Sequence, residues 1–211
     1  QLQIFNGHTD GICGIEFSPF NGGRYLCSGS WDKTIRLWVL KHPNHYMFSM
    51  DIMLVDNDND NKMNNIGVIG GNGYTICSGS GDKTIRIWDI ETAKQFNIFK
   101  GHTSYVNSVK YGSSESVNTI LSGSDDKSFR LWDIRSGEQI QVFNGHISIV
   151  YSVEYPPFVI KNSTSNSNVI CSGSFDNTTR FWDIRSNKEE LYVIKEMRKK
   201  IMEYIVLHLL D

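Results

Sequence analysis

No stretch of the 211 residues approaches the roughly 18 to 20 uninterrupted apolar positions that cross a bilayer, and the N-terminus lacks the charged and apolar regions of a signal peptide. The expectation is a soluble chain in the cytoplasm or nucleus, with no membrane partner. An excess of positive charge is missing as well: 21 Lys and Arg against 23 Asp and Glu leave a formal charge of −2. That balance excludes a basic nucleic-acid binder and a strongly acidic tail. There is no Gly-Lys-Ser/Thr phosphate loop and no helix with paired His ligands. The cluster from Gly67 to Gly73 lacks the spacing and following helix of a dinucleotide fingerprint. What the chain does have is 39% apolar and 12% aromatic residues, enough to bury a sizeable core in one large domain or two small ones. It opens on Gln1 rather than Met, as expected of a piece of something longer.

The dominant feature is internal repetition, which decides architecture before any local reading. Ser28 to Trp38, Ser78 to Trp88, Ser122 to Trp132 and Ser172 to Trp182 are four copies of one unit, Ser-Gly-Ser-x-Asp followed six residues after the Asp by Trp. The tryptophans stand 50, 44 and 50 residues apart, and a Gly-His pair precedes three copies, at His8, His102 and His146. Within each unit, runs such as Ile12 to Phe17, Tyr25 to Cys27 and Thr34 to Trp38 are rich in β-branched and aromatic residues and are separated by Gly, Asp, Asn and Pro. A further run follows each Trp: Met47 to Leu54, Gln95 to Phe99, Gln139 to Phe143 and Leu191 to Ile194. Four short antiparallel strands per repeat make one propeller blade.

With Trp-Asp at 88–89, 132–133 and 182–183, and Trp38-Val39 in the first copy, the sequence resembles the WD-repeat β-propeller family up to about residue 195. The expected fold is all-β, with four blades of four antiparallel strands. The repeats fall at about 1–40, 46–90, 95–134 and 138–184, with a last outer strand at 190–195. WD propellers usually close with seven blades, so an incomplete propeller is expected, either a fragment or an arc completed by another copy. Gln1 to Phe5 matches Gln139 to Phe143, the outer strand of a blade whose other strands would lie upstream. Residues 55–66 read as a polar, mobile Asn/Asp-rich insertion, and 196–211 as a short helix with Met197, Ile201, Tyr204, Ile205 and His208 on one face. Asp56, Asp58 and Asp60 imitate a calcium loop, but Asn61 stands where Gly is required and Gly67 where Glu is required.

Recurring Ser, His and Asp invite a nucleophilic reading. A catalytic site is needed only once, whereas these residues recur with the fold. The resemblance implies buried structural tetrads: His8, Ser30, Asp32, Trp38; His102, Ser124, Asp126, Trp132; and His146, Ser174, Asp176, Trp182. The second copy keeps Ser80, Asp82 and Trp88 without a Gly-His. In such a tetrad the turn Asp accepts from His, and Ser links His to the indole N–H. Cys27, Cys77 and Cys171 share one strand position with Leu121, so the cysteines read as small buried hydrophobes rather than a disulfide or zinc set. Arg36, Arg86, Arg130 and Arg180 recur likewise and are expected to pair with neighbouring blades or solvent. No catalytic residue, metal or cofactor is expected.

The resemblance also places partner recognition on the narrow top face. Position by position, that face is lined by Trp31, Gly81, Asp125 and Phe175 in the turns and by Gly11, Cys13, Tyr105, Asn107, Ile149 and Tyr151 near the inner strands. Asp125, with Tyr151 and Phe175 as two walls of a slot, resembles the arginine pocket of the WD subunit of histone-methyltransferase complexes. The implied function is a non-catalytic scaffold that binds peptides or protein domains, including an Arg-containing peptide. The alternative is the targeting module of a longer enzyme whose catalytic domain lies outside these residues. Partners are then other proteins, without nucleic acid, and open propeller ends allow self-association.

Overall fold

The computed structural model describes residues 4–17, 25–39, 49–52, 64–70, 75–90, 92, 94–112, 118–156, 169–185 and 190–195. Within these, the chain forms four antiparallel sheets of four strands. Blade one holds β1 (Ile12–Phe17), β2 (Tyr25–Ser30), β3 (Ile35–Val39) and β4 (Ser49–Ile52). Blade two holds β5 (Asn64–Gly70), β6 (Thr75–Ser80), β7 (Thr84–Asp89) and β8 (Gln95–Lys100). Blade three holds β9 (Val106–Tyr111), β10 (Thr119–Ser124), β11 (Ser128–Asp133) and β12 (Gln139–Asn144), and blade four β13 (Val150–Glu154), β14 (Val169–Ser174), β15 (Thr178–Asp183) and β16 (Glu190–Lys195). Strands are joined in chain order, so each blade is a meander. The insertion read at 55–66 ends too late: Asn64 to Ile66 already belong to β5, where backbone pairing with β6 overrides their polar side chains. Residues 55–63 and the helix read at 196–211 lie outside the described residues. Ile4 and Phe5 are described without strand pairing.

The tight hairpin between the second and third strand of each blade explains the Ser-x-Asp spacing. Asp32 accepts from both the backbone N–H and the hydroxyl of Thr34, while its own N–H donates to Ser30 Oγ. Asp82, Asp126 and Asp176 repeat this pattern. The residue after the Asp turns left-handed, with φ of 70° at Lys33, 74° at Lys83, 68° at Lys127 and 61° at Asn177. The Asp side chain holds each turn in a conformation that costs L-residues about 1 kcal/mol or more.

Each sheet packs an apolar face against the next sheet in chain order. Cys27, Ile35 and Leu37 of blade one pack against Ile76 and Trp88 of blade two. Cys77, Ile85, Ile87 and Phe99 then meet Val106, Val109, Ile120 and Trp132 of blade three. Leu121, Phe129, Leu131 and Phe143 meet Val150, Val153, Ile170 and Trp182 of blade four. Close approach is paid for by glycine: a Cβ on Gly79 would come within 2.7 Å of Val106, and one on Gly123 within 2.9 Å of Val150. At the equivalent Gly173 the nearest atom would be 4.0 Å away. Tyr111 donates across to Thr75 at 3.0 Å, and the Tyr155 and Thr119 hydroxyls share a 3.2 Å hydrogen bond. On blade one the positions matching Val106, Val109 and Tyr111 are Ile12, Ile15 and Phe17, each more than half exposed.

The inner strands meet around the axis. Lys110 Nζ of β9 lies 3.1 Å from Glu16 of β1 and 3.1 Å from Glu154 of β13, so one ammonium ties blade three to blades one and four. Burial works against that charge, but Glu154 and Glu16 outweigh it and raise the pKa of Lys110.

Candidate protein-binding face

The repeated polar residues form tetrads, with one correction to the serines. Trp38 Nε1 donates to Ser28 Oγ at 2.8 Å, His8 Nε2 lies 2.7 Å from the same oxygen, and His8 Nδ1 lies 2.8 Å from Asp32 Oδ2. The same chain runs Trp132–Ser122–His102–Asp126 and Trp182–Ser172–His146–Asp176. The tetrad serine is therefore the first of each Ser-Gly-Ser, not Ser30, Ser124 or Ser174; in blade two it is Ser78, not Ser80. Register supplies the reason. Trp38 pairs with Leu26, which puts Ser28 on the adjacent diagonal, and Ser30 stands about 7 Å further along the same face. Ser30, Ser80, Ser124 and Ser174 instead accept the N–H of the turn Asp at 3.1 Å.

The proton inventory of each tetrad closes with a neutral histidine. The indole N–H donates to Ser Oγ, the Ser hydroxyl to His Nε2, and His Nδ1–H to the carboxylate. Burial holds His102 and His146 below the ordinary imidazole value, against the pull of Asp126 and Asp176. Burial pushes Asp176 up, but hydrogen bonds from Thr178, His146 and the Ile147 N–H outweigh it and bring the carboxyl down to about 2. Ser28, Ser122 and Ser172 are buried beneath the indoles, so these Ser-His-Asp sets are out of reach of a substrate. Blade two, which has no Gly-His, uses a different donor: Arg86 forms an ion pair with Asp82 at 2.5 Å, whereas Arg130 and Arg180 stand 3.5 and 3.9 Å from their aspartates. These three arginines thus each reach the turn Asp of their own blade. The glycine before each histidine gives way to the same groups, since a Cβ on Gly101 would meet Arg130 and Trp132 at 2.9 Å. The four cysteines are free; burial, helped by Asp10 and Asp32, pushes the Cys13 thiol up to about 11, and burial takes Cys27 to about 12.

The top face is built by two backbone devices that no sequence pattern displays. One is a hydrogen bond from the turn residue to the chain just before the inner strand: Trp31 N–H to Gly11 O, Asp125 N–H to Tyr105 O and Phe175 N–H to Ile149 O, each 2.9 Å. The other is a β-bulge. Cys13, Asn107 and Tyr151 are each the extra residue skipped in the inner-strand pairing, and a bulge re-aims the side chain of the residue it expels. Turn residue and bulge residue therefore stand side by side in these blades.

At the seam of blades three and four these pairs converge. Asn107 Nδ2 donates to Asp125 Oδ1 at 2.6 Å and to the Val150 carbonyl at 3.2 Å, which sets the acid next to the strand that carries Tyr151. Tyr151 and Phe175 lie with centroids 5.8 Å apart and planes at 70°, exposed by 51% and 67%. That geometry corrects the slot: the rings meet edge to face, so they are not two parallel walls, and a flat cation stacks on one ring face at a time. Tyr105 is exposed beside Asp125, and Trp31 lies over Gly11 on blade one. Gly81 is buried and brings no side chain to the face. Ile147, exposed next to the buried His146, stands where Thr9 and Thr103 follow the other Gly-His pairs, and sequence reasoning did not single out this departure from the repeat.

The chain matches the family model described as WD domain, G-beta repeat, over residues 1–39, 60–89, 93–133 and 137–183. It belongs to the WD-repeat family, whose repeats serve in general as protein–protein interaction scaffolds. The comparison with curated proteins gives no match.

Proposed function

We propose that the chain is a non-catalytic interaction platform that takes peptides or protein domains on its top face, with a cationic side chain such as arginine at the seam of blades three and four. The observation that carries this reading is the Asn107 bridge, which ties the Asp125 carboxylate to the backbone of Val150, the residue before Tyr151, whose exposed ring meets that of Phe175. A guanidinium on one ring face gains about 0.5–1 kcal/mol at an exposed site. A hydrogen bond to the carboxylate adds about 1.5–3 kcal/mol. Together these fall short of the ~4 kcal/mol of a millimolar complex. A partner therefore needs further anchors, and the exposed Trp31, Tyr105 and Ile147 offer them. The free thiols support a reducing compartment, cytoplasm or nucleus.

The test is an NMR titration of the chain with the pentapeptide acetyl-Trp-Gly-Arg-Gly-Trp-amide, whose aromatic ends supply the further anchors, and its norleucine counterpart. Shifts confined to residues around Asp125, Tyr151 and Phe175, and affinity at least fivefold lower in both Asp125→Ala and Phe175→Ala, are expected. Equal binding of the arginine peptide by wild type and both variants would remove the reading.

A further inference from the structure

We propose that Asn107 is a positioning residue that clamps the Asp125 carboxylate at the seam of blades three and four and thereby makes this face selective for a single cationic side chain. The inference rests on the top-face reading above and adds to it a residue that need not touch the partner.

Asn107 is free to do this because the bulge takes it out of the β9–β10 ladder: Val106 pairs with Ser124 and Ser108 with Gly123, leaving Asn107 between them. Its two acceptors fix the amide orientation by chemistry alone. A carboxylate oxygen and a backbone carbonyl can only accept, so the two hydrogens of Nδ2 must face them. One nitrogen thus spans two blades, from the β10–β11 turn to the first residue of β13. Asp125 Oδ1 is engaged, while Oδ2 receives no hydrogen bond from the described residues. The side chain is held before any ligand arrives, so binding does not bear the entropy of ordering it. One carboxylate oxygen left over, on the half-exposed Asp125 that Asn107 bridges to the Tyr151 strand, matches one positive group.

The same bulge position in blades four and one supports this division of labour. Tyr151 there meets an aromatic turn residue, Phe175, and Cys13 accompanies Trp31. Only in blade three are both members of the pair polar, one a double donor and the other an acid.

The experiment measures affinity of the whole chain for the arginine and norleucine pentapeptides in wild type, Asn107→Ala, Asn107→Asp and Asp125→Asn, with a thermal melt of each. Loss of the clamp's two hydrogen bonds is expected to weaken the arginine peptide three- to tenfold in Asn107→Ala, with the norleucine peptide unchanged and only a small fall in melting temperature, because the Val150 carbonyl also loses its donor. Asn107→Asp is the decisive variant. It adds negative charge but cannot donate, so positioning predicts weaker binding, whereas a role through charge alone would strengthen it and overturn the proposal. Unchanged affinity in Asn107→Ala, or an equal fall for both peptides, would overturn it as well. If Asp125→Asn weakens the arginine peptide and Asn107→Ala does not, positioning fails while the top-face reading stands. If Asp125→Asn has no effect, the top-face reading itself fails.

Discussion

The two serines of each Ser-Gly-Ser differ in consequence although they share a strand face. Ser122→Ala strands the Trp132 N–H and His102 Nε2 in a buried site, each worth about 1–3 kcal/mol when unpaired. Ser124→Ala removes an acceptor from a turn whose Asp126 keeps its bonds to Ser128. Urea denaturation should therefore show Ser122→Ala as clearly the more costly change, and equal costs would contradict the tetrad assignment. The histidines also fix the sign of the acid response. Burial holds His102 and His146 below 6.5 in the folded chain, so below that pH the unfolded chain binds more protons. Stability should be full above about 6.5 and decline as the pH falls through it. A second loss should follow between 3.8 and about 2, where the depressed Asp176 finally protonates. Melting temperatures across this range check both stages.

At the level of strands and turns, what recurs was readable and what is offset was not. The spacing of Trp and Ser-x-Asp located the hairpins, because turn chemistry and β-propensity are local. Strand β5 was hidden by Asn64 and Asn65, whose place in the ladder rests on backbone pairing with Ser80 and Gly79. The bulges at Cys13, Asn107 and Tyr151 are a property of pairing and leave no mark in composition. The tetrad serine was misplaced because a period of two cannot separate Ser28 from Ser30. The glycines give this level its own test. Gly79→Ala and Gly123→Ala force a methyl into the next blade and should cost about 1–3 kcal/mol each, whereas Gly173→Ala should be tolerated. Chemical denaturation of the three variants measures this directly, and a cost at Gly173 equal to the others would refute the close-approach explanation.

Across the molecule, four sheets are joined by three apolar seams and by one charge cluster on the axis. Glu16 and Glu154 each lie 3.1 Å from Lys110 Nζ, so their carboxylates stand within about 6 Å of each other, where like charges repel once the cation is removed. Lys110→Met should lower the melting temperature by about 2–4 °C, the shift expected for roughly 1 kcal/mol in a chain of this size. Adding Glu16→Gln and Glu154→Gln should restore it; failure to restore would show that the loss is packing, not charge. On the proposed function the blades present the top face, and the central claim is that a partner's cation meets Asp125 there. A double-mutant cycle tests this most directly, combining Asp125→Asn with the change of the peptide's arginine to norleucine and measuring all four affinities. The account predicts a coupling of about 1 kcal/mol or more between the two changes. Additive effects, with no coupling, would contradict it.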